Sequence, residues 1–109
     1  MYPDRRGLRF TFAASAELAL KDFPKAIVPG LVTELSLQGC FVETSAAFEA
    51  QRLVLVKIYD SQESFEAEAV VLYVRPTGLG LVFREFTPES AAILQKWMIK
   101  ALGSQLAPL

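Results

Sequence analysis

The sequence contains no histidine and only one cysteine, Cys40, among its 109 residues. Without histidine, the chain lacks the usual general base for a nucleophilic thiol or hydroxyl. One cysteine cannot close an internal disulfide or build a cysteine-based metal cluster, and it fits a reducing compartment. We therefore expect Cys40 to be a small buried apolar side chain. We also predict a protein that is not an enzyme and needs no metal or cofactor.

Long apolar runs and an excess of positive charge are also missing. No apolar run reaches the roughly 18 residues that a membrane span needs, and MYPDRRGLRF has no signal-peptide-like apolar stretch behind it. The 11 Lys and Arg residues nearly balance 12 Asp and Glu residues, which gives a net charge of -1. Such a chain has no overall positive field with which to hold a long nucleic acid. We expect a cytoplasmic protein that neither inserts into membranes nor binds DNA or RNA.

Apolar residues make up 52% of the chain, enough for one packed domain over residues 1–109. Alternating apolar segments separated by short polar turns such as LQG, DSQES and PTG predict strands. We expect the first strand to bend near Ala14. Six strands with short connections predict a mainly β fold, a closed antiparallel barrel over residues 10–83 that hides its edges. The predicted strands are residues 10–21, 30–36, 40–44, 52–59, 65–75 and 79–83.

A single helix is predicted over residues 87–102. Thr87 is suited to cap its first turn, Pro88 to occupy the first helical position, and Gly103 to end it. Apolar residues recur at helical spacing, so one face should pack on the barrel. This stripe comprises Ile93, Leu94, Trp97, Met98, Ala101 and Leu102.

Three arginines, Arg5, Arg6 and Arg9, are crowded into the segment RRGLR. The arginine guanidinium donates two hydrogen bonds at once to phosphate oxygens or to the O6 and N7 edge of guanine, and it stacks on bases. A bend at Gly7 would let Arg5 and Arg9 converge on one compact anion. We therefore interpret residues 1–9 as a flexible ligand-binding arm.

A second polar cluster lies in ELSLQG, at the tip of the first predicted hairpin. Strand alternation would place Glu34 and Ser36 on one face, where a carboxylate can accept from guanine N1 and N2 and a hydroxyl can bond to phosphate. Gly39 suits a tight turn or close approach of a ligand. Taken singly, each of these residues is also what an ordinary hairpin end would contain.

Taken together, these motifs resemble the PilZ domain family over nearly the whole chain. RxxxR from Arg5 to Arg9 is followed about 25 residues later by ELSLQG, then by GLGLVF at 78–83 and by TPES, which opens the predicted helix. The resemblance is to a [DN]xSxxG motif, in which Glu34 stands in place of Asp or Asn and is one methylene longer.

The resemblance implies a six-stranded antiparallel barrel with a C-terminal helix and a receptor for the bacterial second messenger cyclic di-GMP. It implies that Arg5 and Arg9 hold guanine and phosphate groups, with Arg6 as an added contact. Glu34, Ser36 and Gly39 would contact the ligand from the barrel surface. The signal would pass to a separate protein effector in motility, pilus or exopolysaccharide control.

Two alternatives stay open. One is a nucleotide-independent interaction module, in which RRGLR pairs with an acidic patch on another protein. The other is a small barrel that binds single-stranded nucleic acid, which would need basic residues along a groove with exposed aromatics. The near-neutral charge makes the second alternative the weaker one. The sequence does not determine the oligomeric state.

Overall fold

A computed structural model describes residues 9–105, with side-chain surroundings through residue 103. Six strands and one helix follow one another along the chain: β1 (Phe10–Leu20), β2 (Val28–Leu35), β3 (Gly39–Glu43), β4 (Leu53–Asp60), β5 (Glu63–Arg75), β6 (Gly78–Glu85) and α1 (Pro88–Gln105). All neighbouring strands are antiparallel, in the order β1-β2-β3-β6-β5-β4, and β1 also pairs with β4, so the sheet closes into a barrel. The predicted fold class, a mainly β six-stranded barrel with a C-terminal helix, is confirmed.

The strand boundaries differ from the predicted ones by one or two residues at most ends. The barrel ends at Glu85 instead of at residue 83, because Glu85 still pairs with Glu68 across β5 and β6. The bend predicted near Ala14 is present as a shift of register between Thr11 and Ala14. Such a bulge bends a strand and increases its twist, which helps a long strand to follow a small barrel.

The barrel interior is filled by apolar side chains from alternating strand positions. Cys40 is one of these residues, as the sequence predicted, and burial in apolar surroundings raises the pKa of its thiol to about 12. A thiol in this state is protonated at neutral pH and a poor nucleophile. The most deeply buried strand residues include Leu18, Val32, Leu35, Val42, Val54, Ile58, Phe65, Val71 and Leu79.

Helix α1 packs against β1 and β5. The Thr87 hydroxyl accepts a hydrogen bond from the backbone N–H of Ser90 at 3.1 Å, which confirms the predicted N-cap. Leu94, Trp97 and Met98 from the predicted apolar stripe are buried, and Ile93 and Ala101 pack partly buried against the core. Leu102, by contrast, remains 38% exposed. Among the described residues, no helix is long and apolar enough to cross a membrane.

The predicted end of the helix at Gly103 is wrong. Helix α1 continues through Gly103 to Gln105. A glycine inside a helix costs only about 1 kcal/mol relative to alanine, which does not by itself stop a helix whose earlier turns are anchored by packing.

A carboxylate at the start of β5 forms polar contacts with helix α1. Glu63 accepts a hydrogen bond from Lys96 Nζ at 2.8 Å and another from Trp97 Nε1 at 3.4 Å. Trp97 also stacks on Phe12, with ring centres 5.3 Å apart. The hydrogen bond from Lys96 lowers the pKa of Glu63 below its ordinary value of 4.5. The positive charge of Lys96 and the hydrogen bond from Trp97 lower the pKa further, whereas desolvation of the carboxylate opposes the shift. The ionised form of Glu63 therefore favours the folded state.

We predict that Glu63→Gln lowers the melting temperature at neutral pH. A carboxyl with a depressed pKa stabilises the folded state fully above its ordinary pKa of 4.5, and this contribution is lost as the pH falls through the lower folded value. The gap between wild type and variant should therefore narrow as the pH is lowered from 7 to 3 in thermal unfolding followed by circular dichroism. Glu49→Gln, in an exposed loop, is the control. A gap that does not change with pH would contradict the assignment.

Candidate functional site

The two charged motifs of the sequence meet on the outer surface of the barrel. Thr11 pairs with Glu34 across β1 and β2, so the residue just before β1 lies beside the end of β2. Arg9 Nη1 donates to Glu34 Oε1 at 3.3 Å, and the two side chains are 67% and 50% exposed. An ion pair this exposed contributes at most about 1 kcal/mol to stability. It therefore joins the two motifs with little effect on the stability of the fold.

Arg5 and Arg6 lie outside the described residues, as does the rest of the predicted arm before residue 9. Their assignment to the ligand site stays a prediction.

Ser36 lies in the turn between β2 and β3, and its hydroxyl is engaged in three hydrogen bonds. It accepts from the backbone N–H of Gln38 at 3.2 Å and from that of Gly39 at 3.1 Å, and it donates to Gly39 O at 3.3 Å. The backbone N–H of Ser36 also donates to Gly39 O, at 2.9 Å. Ser36 therefore shapes the turn that carries the motif. A phosphate bound by its hydroxyl would replace one of these bonds.

Gly39 is required by the close approach of two strands. A Cβ added at this position would lie 2.0 Å from the carbonyl oxygen of Leu81 in β6. Only a residue without a side chain allows β3 and β6 to pair here. The close approach that the structure shows at Gly39 is to a neighbouring strand, and the predicted approach of a ligand stays a prediction.

A cluster that the sequence analysis did not single out adjoins Glu34. Register along the outer face places Glu34 opposite Phe41, Phe41 opposite Gly80, and Gly80 opposite Tyr73. The rings of Phe41 and Tyr73 are stacked, with centres 6.3 Å apart and planes at 22°. The guanidinium of Arg75 lies 4.7 Å from the centre of the Tyr73 ring. Gly80 is the sequence feature that could have indicated this cluster, because a glycine inside a strand often marks the close approach of another group.

Arg9 and Glu34 lie on an open, exposed face of the barrel. A groove of about 860 Å³ lies elsewhere on the barrel, over β1, β4, β5 and the end of β6, between residues such as Glu17, Lys57, Glu68 and Arg84. It contains neither Arg9 nor any residue of the ELSLQG turn. Within the described part of the chain, no group of three or more His, Cys, Asp or Glu residues could hold a metal ion.

Comparison with known families matches residues 3–100 to the PilZ domain. The chain belongs to the PilZ domain family. The PilZ fold is a known receptor fold for cyclic di-GMP, and PilZ domains are regulatory binding modules, not enzymes. The ligand that PilZ relatives bind is cyclic di-GMP, without a metal cofactor. A comparison with curated proteins found no significant match.

Solved structures of PilZ domains share this fold. The PilZ domain of CeSA from a cellulose-synthesizing bacterium is 16% identical, with a TM-score of 0.68 over 90% of this chain and 98% of that one. The PilZ domain of Escherichia coli YcgR with c-di-GMP is 14% identical, with a TM-score of 0.75 over 95% of each chain. The Bacillus subtilis inhibitor of motility MotI/DgrA is 16% identical, with a TM-score of 0.77 over 97% of this chain but 55% of that one. At these identities, the likeness concerns the fold alone.

We predict that Gly39→Ala destabilises the protein by about 1–3 kcal/mol or more, because the new methyl group would force β3 and β6 apart. Urea denaturation measures this change. Gly103→Ala is the matched control, since a Cβ there meets nothing within 4 Å and the helix should gain about 0.5–1 kcal/mol. A Gly39→Ala variant as stable as the wild type would refute the steric explanation. If Gly39→Ala is destabilised, the disturbed pairing of β3 and β6 would by itself explain a loss of ligand binding. Such a loss would then not identify Gly39 as a ligand contact.

Proposed function

We propose that this protein is a cytoplasmic receptor for cyclic di-GMP that signals to a separate protein effector. The observation that carries the proposal is the contact between Arg9 and Glu34, which joins the two motifs on one exposed face. Membership of the PilZ family and the likeness to a YcgR domain holding c-di-GMP support it.

Each motif supplies the chemistry that a bis-guanine anion needs. Arg9, together with Arg5 and Arg6 from the arm, offers planar guanidinium groups to phosphate oxygens and to the O6 and N7 edge of guanine. The Glu34 carboxylate offers an acceptor to the N1 and N2 hydrogens of a guanine. Ser36 and Gly39 complete the face from the hairpin turn. Glu34 is half exposed, so its extra methylene can extend outward into solvent without a clash.

Ligand binding would exchange one set of partners for another. In this structure, Arg9 and Glu34 satisfy each other in a solvent-exposed pair. With ligand, the arginine turns to a phosphate or guanine acceptor and the carboxylate to guanine donors. When the ligand holds residues 1–9 against the barrel, the free energy of binding would favour one arrangement of the arm over the others. An effector in motility, pilus or exopolysaccharide control would recognise that arrangement.

A nucleotide-independent interaction module is the second candidate. Two observations favour it: Arg9 and Glu34 already neutralise each other, and the Ser36 hydroxyl is engaged within its own turn. In this case the arm and the hairpin would bind another protein directly. Two results together would distinguish this function from that of a receptor. The wild type would show no affinity for the nucleotide, and Arg9→Ala would weaken the contact with a protein partner.

We predict that Arg9→Ala weakens cyclic di-GMP binding at least about tenfold, since hydrogen bonds to charged groups contribute about 1.5–3 kcal/mol each. Its free energy of unfolding should fall by at most about 1 kcal/mol, because the side chain is exposed and its ion pair with Glu34 contributes no more than that. Isothermal titration calorimetry measures binding, with cyclic di-AMP and GTP as ligand controls. Arg84→Ala, at the groove elsewhere on the barrel, is the matched protein control. A wild-type protein that does not bind cyclic di-GMP would refute the receptor function.

We further predict that Glu34→Asp binds cyclic di-GMP as tightly as the wild type or more tightly. The shorter side chain keeps the carboxylate acceptor and restores the residue type of the [DN]xSxxG motif. Glu34→Ala, which removes the acceptor, should lose most of the affinity. The same calorimetric titration compares the three proteins. A clear loss of affinity in Glu34→Asp would show that the site is tuned to the longer acid.

A further inference from the structure

Among the described residues, Arg75 is a second arginine, besides Arg9, on the face that carries Glu34. It is the last residue of β5 and pairs with Gly78, one outward-facing row beyond Tyr73. Its guanidinium returns over the rings, 4.7 Å from the centre of Tyr73 and 6.0 Å from that of Phe41. Arg75 is exposed, and within residues 9–103 it forms no salt bridge. Its charge is held in place by aromatic rings instead of by an acid.

The two rings beneath Arg75 form a fixed support. Phe41 and Tyr73 flank Gly80 on neighbouring strands. A Cβ at Gly80 would lie 2.3 Å from Cε2 and Cζ of Tyr73, so this ring rests directly on the β6 backbone. Both aromatic residues are half-buried and stand on strands of a closed barrel. A guanidinium on such a support loses little further freedom when it binds a ligand.

The support begins next to Glu34. Phe41 is directly opposite Glu34 across β2 and β3, and Tyr73 lies two strands further round. Neighbouring strands are about 4.8 Å apart, so roughly 14 Å of surface separates Glu34 from Tyr73. A flat ligand part that extends from Glu34 over Phe41 would reach Arg75.

We propose that Arg75 binds a guanine base of the ligand, with Tyr73 and Phe41 as positioning residues. This inference rests on the proposed cyclic di-GMP receptor function. The plane of the guanidinium stacks on the base, and its N–H groups can donate to base acceptors at the edge. A phosphate can also be bound by the point charge of a lysine, whereas stacking on a base requires the plane of a guanidinium. Two aromatic rings that hold a planar cation flat suit a planar heterocycle.

Replacement of Arg75 separates stacking from charge. Arg75→Lys keeps the charge and loses the plane, whereas Arg75→Ala loses both. Both variants should bind cyclic di-GMP between about 5-fold and 100-fold more weakly than the wild type in calorimetric titration. Arg84→Ala, which removes an exposed arginine elsewhere on the barrel, should bind as the wild type does. Wild-type affinity in Arg75→Lys would overturn the stacking role, and wild-type affinity in Arg75→Ala would overturn the site.

Tyr73 variants test the support. Tyr73→Phe keeps the ring and should retain ligand binding, whereas Tyr73→Leu should weaken ligand binding. The melting temperature of each variant is measured in parallel as a control for folding. Equal affinities of Tyr73→Phe and Tyr73→Leu would overturn the positioning role. If the wild type binds and Arg9→Ala does not, unchanged Arg75 variants refute this inference alone. If the wild type itself does not bind, the receptor function has failed, and the Arg75 inference fails with it.

Discussion

Barrel closure through β1 is the constraint on which the remaining structure depends. Between Ser15 and Leu18, this strand pairs with β2 on one side and with β4 on the other. A slip of one residue in either pairing would turn the apolar set of a strand from the core to solvent. Both registers are therefore set by burial. Beyond the register shift at Thr11, the buried pair of Phe10 and Leu35 sets the pairing of Thr11 with Glu34, and it is this pairing that brings Arg9 to Glu34.

Because the barrel interior is filled by side chains, a ligand would have to bind on its outer face. The residues there divide into two kinds. Arg9 and Glu34 are exposed, and their ion pair contributes little to stability, so their chemistry is available to a ligand. Ser36 and Gly39 hold the β2–β3 turn and its approach to β6. The predicted ligand-binding motifs therefore combine exposed side chains with residues that build the surface.

The position of Tyr73 shows how backbone geometry creates a surface. A register shift between Val71 and Tyr73 turns Tyr73 outward after a run of inward-facing apolar residues on β5. Gly80 then leaves room for the ring, and Arg75 rests on the ring. None of these three features alone would make a site. Their combination depends on the pairing of β3, β6 and β5.

The sequence by itself determined the strand pattern, the barrel class, the helix cap at Thr87, the burial of Cys40 and the family, because these follow from local alternation, capping chemistry and motif spacing. Only the tertiary structure decided the contact of Arg9 with Glu34, the turn bonds of Ser36 and the cluster of Phe41, Tyr73 and Arg75. Only the tertiary structure also shows that the helix continues past Gly103, where local propensity predicted its end. The physical reason is that strand register and packing join residues far apart in the chain, and local patterns do not record which strands pair.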